Sequence, residues 1–312
     1  MRYSMRSVLE VAELSRQAVH KHYRDEIVFA EKLSGLIVEV DILREEHPGC
    51  GVEKMYYTLR PDWLGRDKFI SIFMELGYRV QTKKNYQRTT VPVHSKYKNL
   101  IQGMMVQNKN IVWQTDITYV LIGDRYYYLV FIIDVYTKVI LGYQASDHLR
   151  AEANLAALRM AINNSNGSLD WLIHHSDKGG QYIDKNYIAL LERYGISISM
   201  GASAQDNAYA ERINGTIKNE YLNYWQPKNL KELKSMLKRA VNHYNNKRIH
   251  NELPGKTTPV QFEKSLLDLT SQKRPTVIIY AEGNYKIKVA SSHFDFKLKE
   301  GAPAHNCPIE IY

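Results

Sequence analysis

Cysteine is scarce: the 312 residues hold two, Cys50 and Cys307, and neither stands at a CxxC or Cys/His spacing. A disulfide framework and a structural zinc site are thereby excluded, and any metal must be held by oxygen. No apolar run approaches the roughly 18 residues that cross a bilayer. The opening Met1-Arg2-Tyr3-Ser4-Met5-Arg6 leads into a charged amphipathic segment, not the apolar stretch of a signal peptide, so a cytoplasmic location is expected. Acid is missing too: residues 76–115 carry Arg79, Lys83, Lys84, Arg88, Lys96, Lys98 and Lys109 but no Asp or Glu.

What is present is enough for a sizeable core. The chain is 44% hydrophobic and long enough for about two domains. Its formal net charge of +9 favours a polyanionic partner. Residues 212–264 hold eleven Lys and Arg against four acids, whereas residues 101–200 hold eight basic and nine acidic residues. Basic segments thus flank a nearly neutral centre, as expected if the flanks grip phosphates and the centre does chemistry.

Residues 1–25 read as a helix-turn-helix-like segment, with one short helix over 7–14, Ser15 as N-cap and a second helix over 16–24. Arg16, Gln17, His20 and Lys21 would project from the second helix, where such motifs read base edges. An amphipathic hairpin with solvated polar residues fits equally well. Residues 26–80 read as a helical DNA-binding module: a longer helix over 26–47, a break at Pro48-Gly49-Cys50-Gly51, and two shorter helices. Residues 81–105, with Lys83, Lys84 and Arg88, read as a basic linker that lies along a groove or serves as a tether.

At residue 111 the hydrophobic period becomes that of a strand. Strands are expected over 111–120, 125–134 and 138–145, then a helix over 151–162, a strand over 171–174, a helix over 184–194, a strand over 196–200 and a long helix from 207. That order is that of an α/β, ribonuclease H-like fold over 106–265, whose mixed sheet sets its first strand beside its fourth. Residues 266–312 read as a small β-rich extension with strands over 277–280 and 285–289.

Three carboxylates stand out within this core. Asp116 lies mid-strand in Trp113-Gln114-Thr115-Asp116-Ile117-Thr118-Tyr119, where an acid among apolar neighbours is costly to bury without a partner. Asp177 follows a strand in His175-Ser176-Asp177-Lys178-Gly179-Gly180-Gln181-Tyr182, at an expected sharp turn. Glu211 sits a turn into a helix that Asp206 is placed to cap. Taken singly, an Asp after a strand is most often a turn former and a helical Glu is most often solvated. Taken together, the trio could hold magnesium against a DNA phosphate, and no protein nucleophile is then needed. Asp124, Asp134, Asp147, Asp184 and Asp206 fall at turn or cap positions. Lys218, two helical turns beyond Glu211, is a candidate phosphate contact, as are Arg212, Lys247 and Arg248 in the basic stretch that follows.

These motifs resemble the bacterial insertion-sequence transposases with a retroviral-integrase-like DDE core, the OrfB-type group commonly made from two overlapping reading frames. Asn99-Leu100-Ile101 with the Asp116 motif, the Asp177 motif, and Asp206-Asn207-Ala208-Tyr209-Ala210-Glu211 with Lys218 carry the likeness. So do Tyr244-Asn245-Asn246-Lys247-Arg248-Ile249-His250-Asn251-Glu252-Leu253 and Thr258-Pro259-Val260-Gln261-Phe262. The resemblance covers residues 36–264.

It implies binding of the element's terminal inverted repeats, then magnesium-dependent strand cleavage and strand transfer. It also implies two ions at Asp116, Asp177 and Glu211, replaceable by manganese. Double-stranded DNA, further copies of the chain in a synaptic multimer and the product of an upstream reading frame are the implied partners, and the nucleoid the implied location. The 33 residues between Asp177 and Glu211 are slightly fewer than the family's customary interval. Two other readings stand beside this one: a non-catalytic DNA-binding relative, and a nuclease of the same fold that never joins strands.

Overall fold

The computed structural model describes residues 4–80, 97–165, 167–201 and 204–279. Helix α1 (Met5–Val11) is followed by a turn and by α2 (Arg16–Glu46), which Ser15 caps by accepting from the Ala18 amide at 3.0 Å. α2 runs unbroken for 31 residues. This corrects the expected division near residue 25, because Asp25 and Glu26 carry no Gly or Pro to interrupt the backbone ladder. The second helix of the first segment and the first helix of the module are one.

The far half of α2 packs with α3 (Val52–Leu59) and α4 (Arg66–Glu75) around Leu36, Val40, Met55, Phe69 and Phe73. Burying each of these large side chains contributes about 1.5–3 kcal/mol, which gives the module its own core.

The remainder is built on β1 (Met105–Val106), β2 (Val112–Ile122), β3 (Arg125–Asp134), β4 (Ile140–Ser146), α5 (Ala151–Asn164), β5 (Ile173–Ser176), α6 (Lys185–Arg193) and β6 (Ser197–Met200). There follow α7 (Ala208–Ile217), a π-turn over Lys218–Leu222, α8 (Asn223–Trp225), α9 (Leu230–Asn246), α10 (Pro259–Ser265) and β7 (Val277–Ile278).

Five strands form one sheet in the order β4-β3-β2-β5-β6. The first three in sequence make an antiparallel meander, and β2, β5 and β6 run parallel. The first and fourth expected strands do lie side by side. The fourth begins at Ile173, not at 171, since Ile173 is the first residue to face Val112 and Trp171 is 82% exposed.

Alternation along the strands divides the core in two. Trp113, Val130, Ile132 and Leu141 face α5 and α6, while Val112, Leu129, Phe131 and Ile133 face α7 and α9.

Both expected edges of this unit are too narrow. Ile101 is buried, the Leu100 amide donates to Ser199 Oγ at 2.8 Å, and the Met200 amide donates to the Lys98 carbonyl, so the chain joins the core by residue 98. At the other end β7 pairs with β1, and Val277 and Ile279 are buried in the core. Lys83, Lys84, Arg88, the expected strand over 285–289 and Cys307 lie outside the described residues.

The module is docked on the core through the loop between α2 and α3. The Gly49 amide donates to the Glu220 carbonyl at 2.9 Å, and a Cβ on Gly49 would lie 2.4 Å from Glu220 Cα, so no side chain fits there. The His47 ring stacks on Tyr221, with centroids 4.9 Å apart. Among the described residues no helix is long and apolar enough to cross a membrane.

Candidate active site

Strand register brings the two aspartates together. The parallel pairing of β2 with β5 ends at Gln114 opposite His175. Asp116 and Asp177 each stand two residues beyond that pair, on neighbouring chain paths about 4.8 Å apart in a sheet. Gln114, Asp116 and Thr118 share the face of β2 that looks toward α7.

Helix α7 is fastened along that face. Gln114 Oε1 accepts from the amides of Tyr209 at 3.1 Å and Ala210 at 3.3 Å, and Gln114 Nε2 donates to the Asp206 carbonyl at 3.0 Å. Asn207 Nδ2 donates to the Thr115 carbonyl at 2.8 Å. One turn on, Asn214 Nδ2 donates to Asp116 Oδ2 at 2.8 Å, and farther along Lys218 Nζ donates to Thr118 Oγ1 at 2.8 Å. Glu211 lies between these fastenings.

The expected cap by Asp206 is corrected. A 3-10 turn over Ala204–Asn207 precedes α7, Asn207 holds the cap position without a side-chain bond to the helix, and Asp206 accepts from Asn99 Nδ2 at 3.0 Å. The helix end takes its acceptor from β2 instead.

The three carboxylates lie near enough to act on one another's charge. Burial, then the negative charges of Asp177 and Glu211, push the Asp116 carboxyl up to about 8. Burial and Asp177 also raise Glu211. Burial lowers the Lys218 ammonium, and Asp116 opposes that shift. Asp177 Oδ1 accepts from the Gly179 amide at 3.0 Å. Gly179 has an ordinary φ of −67°, so it does not serve a sharp left-handed turn; a Cβ there would lie 3.0 Å from Asp177 Oδ1. Among the described residues no three His, Cys, Asp or Glu side chains converge as a ready cage for one ion. Asp116 is turned toward Asn214, and Asp177 is folded into its own turn.

The chain matches the integrase core domain models over residues 107–205 and 193–259. It is 35% identical to the transposase for insertion sequence element IS629 of Shigella sonnei, across 71% of this chain and 76% of that protein. It is 33% identical to the uncharacterized 31 kDa protein of insertion element IS600 of the same organism, across 64% of this chain and 75% of that one. The chain belongs to the insertion-sequence transposases with an integrase core domain. It also aligns with the catalytic core domain of HTLV-2 integrase at 20% identity, over 53% of this chain and 99% of that one, with a TM-score of 0.40.

Membership of that family makes the transposase a polynucleotidyl transferase, and the candidate DNA-contacting residues fall into two groups. Arg16, Gln17, His20 and Lys21 are exposed on α2. Arg212 pairs with Glu252 and Lys247 with Glu46, both at the surface. Arg248 is a correction: its side chain is 10% exposed and donates twice to Glu220, at 2.7 Å each, so it has no face left for a phosphate. His47 Nε2 lies 2.5 Å from the same carboxylate and Lys54 Nζ 3.4 Å away. Burial alone would raise Glu220, but the hydrogen bonds from Arg248 and His47 outweigh it and hold the carboxyl far below the usual range.

Other acids and histidines near the transposase core have structural partners. Asp134 is buried and accepts from Thr137 and Asn110 amides, and Asp184 caps α6. His174 meets the Tyr187 hydroxyl at 2.9 Å, His175 meets Ser199 Oγ at 2.8 Å, and burial lowers both imidazoles.

The residues that sequence reasoning missed are Gln114, Asn207 and Asn214. Two signals were available: Gln114 is a polar side chain two residues from Asp116 in an apolar strand, and Asn214 is three residues from Glu211 on one helix face.

Proposed function

We propose that this transposase binds the terminal inverted repeats of an insertion sequence, and that it cuts and joins DNA strands at Asp116, Asp177 and Glu211 with divalent metal. The observation that carries the reading is geometric: the β2/β5 register sets Asp116 and Asp177 side by side, and the bonds of Gln114 and Asn214 lay the Glu211 helix along the same face of β2. Asp116 and Asp177 are half-buried and Glu211 is exposed, so the trio lies open to solvent on one side, and a cation arriving there would offset the repulsion among its members.

The donor set fits magnesium. That ion prefers oxygen and takes only one or two carboxylates besides water and phosphate, so two ions need no three-acid cage. Asp116, flanked by the other two, would be shared, with Asp177 completing one position and Glu211 the other. Manganese takes the same ligands. When bound, such ions lower the pKa of the attacking water or 3′-hydroxyl and stabilise the leaving oxygen.

The protein's own groups do the rest. Asn214 donates to Asp116 Oδ2, which holds the orientation of that carboxylate. Lys218, tied to Thr118, sets a positive charge beside Asp116 where a phosphate would arrive. Arg16, Gln17 and Lys21 are free on α2 to meet the duplex. Arg212 and Lys247 can exchange surface pairs, worth about 0–1 kcal/mol each, for phosphates. Lys83, Lys84 and Arg88 belong to the same proposed contact set. Synapsis of two ends calls for self-association, and an upstream reading-frame product is a proposed second partner.

The test is incubation with duplex carrying the element's own end and magnesium, with nicked and joined products scored separately. The parent should give both; Asp116→Asn and Asp177→Asn should give neither while binding the end within about threefold of the parent. Unchanged cleavage in either variant would overturn the assignment.

A further inference from the structure

The contacts that seat the start of α7 on β2 lie immediately before each of two candidate metal ligands. Gln114 and Thr115 precede Asp116; Asp206, Asn207, Tyr209 and Ala210 precede Glu211. Gln114 is almost wholly buried, and each end of its amide is used: the oxygen takes two helix amides and the nitrogen donates to the carbonyl of the turn before the helix. The first amides of a helix have no partner within it, so this one side chain supplies the cap that α7's own sequence does not. Asn207 returns the contact to the Thr115 carbonyl. Crossed side-chain-to-backbone bonds of this kind fix translation and rotation together, and neither element can slide without breaking both.

We propose that Gln114 is a positioning residue for the strand-cutting site: with Asn207 it sets the distance between Glu211 and Asp116 before any metal arrives. The proposal rests on the metal-holding reading of the trio. It explains how an interval of 33 residues between Asp177 and Glu211 still delivers the glutamate, since the helix start is located by contact with β2 and not by the length of the loop before it. It also separates two jobs on one helix. Asn214 acts on the Asp116 carboxylate, whereas Gln114 acts on the backbone that carries Glu211.

The test compares the parent, Gln114→Met, Glu211→Gln and the double variant. Met approximates the shape of Gln in a buried slot and removes the amide. Three quantities are read: end binding in chelator, melting temperature without metal, and magnesium affinity, measured both as half-saturation of nicking and as the magnesium-induced shift in melting temperature. Gln114→Met should raise half-saturating magnesium by about tenfold, the usual scale for groups that orient ligands. The magnesium-induced melting shift should shrink, and end binding should stay within about twofold. The double variant should show no further loss of magnesium affinity beyond Glu211→Gln, because Gln114 acts through Glu211.

Three results would overturn the proposal: unchanged magnesium dependence in Gln114→Met, a loss of metal-free melting temperature and end binding as large as the loss of metal response, or independent, additive losses in the double variant. The underlying metal reading fails separately, if Glu211→Gln leaves the magnesium responses at the parent's values.

Discussion

Asn214 donates a hydrogen bond to the Asp116 carboxylate from a position three residues beyond Glu211 on the same helix. One helix thus supplies one candidate ligand and steadies another. A hydrogen bond to the charged form favours that form, so Asn214 opposes the burial and repulsion that raise Asp116. Replacing it by Leu should raise the Asp116 pKa further and move the acidic limb of the pH profile of nicking to higher pH. A profile that keeps its midpoint and loses only amplitude would contradict this role.

The raised Asp116 also makes a statement about stability without metal. Its carboxyl titrates near 8 in the folded protein against an ordinary 3.8, so between those values the folded state holds a proton that the unfolded chain has released. Raising pH from about 4 to about 8 therefore removes stability, and below about 4 the contribution is fully present. Melting of the metal-free protein should fall across this window. Asp116→Asn should flatten the fall and melt higher than the parent at pH 8. Parallel curves for the two proteins would refute it.

The docking of the helical module depends on a buried charge cluster, and its partners should differ sharply in weight. Arg248→Met leaves Glu220 buried without its bidentate partner, a loss of about 3–5 kcal/mol. Lys247→Met breaks a surface pair with Glu46 and should cost about 0–1 kcal/mol. Denaturant midpoints of the two variants measure the difference. Equal effects would mean that the Glu220 cluster does not hold the module.

Exposed charges on α2 make a separate prediction about DNA. Arg16→Ala and Lys21→Ala should each weaken end binding and reduce the slope of log affinity against log salt by about 0.9. Binding titrations at several salt concentrations measure this. Unchanged slopes would return the segment to a solvated helix face.

Much of the candidate site's local setting was legible in the sequence because strand alternation and helical spacing are local. Asp116 among apolar neighbours, Asp177 after a strand and Glu211 near a helix start were each readable from adjacent residues, and the element order implied that β2 and β5 meet. What was not legible depends on contacts between distant segments. The cap of α7 comes from Gln114, so the local signal at Asp206 pointed to the wrong residue. Arg248 sits in a basic stretch and looks like a phosphate contact, yet Glu220 and His47 claim the space around it. The helices expected over 16–24 and 26–47 are one, because nothing between them interrupts the backbone ladder.

The most direct test of the shared-metal site is a crystal of the transposase grown with manganese and end DNA, examined for anomalous scattering. Two peaks about 3.5–4 Å apart, both within bonding distance of Asp116, with Asp177 on one and Glu211 on the other, is the result expected. Well-ordered carboxylates with no peak between them in the DNA-bound crystal would contradict the account.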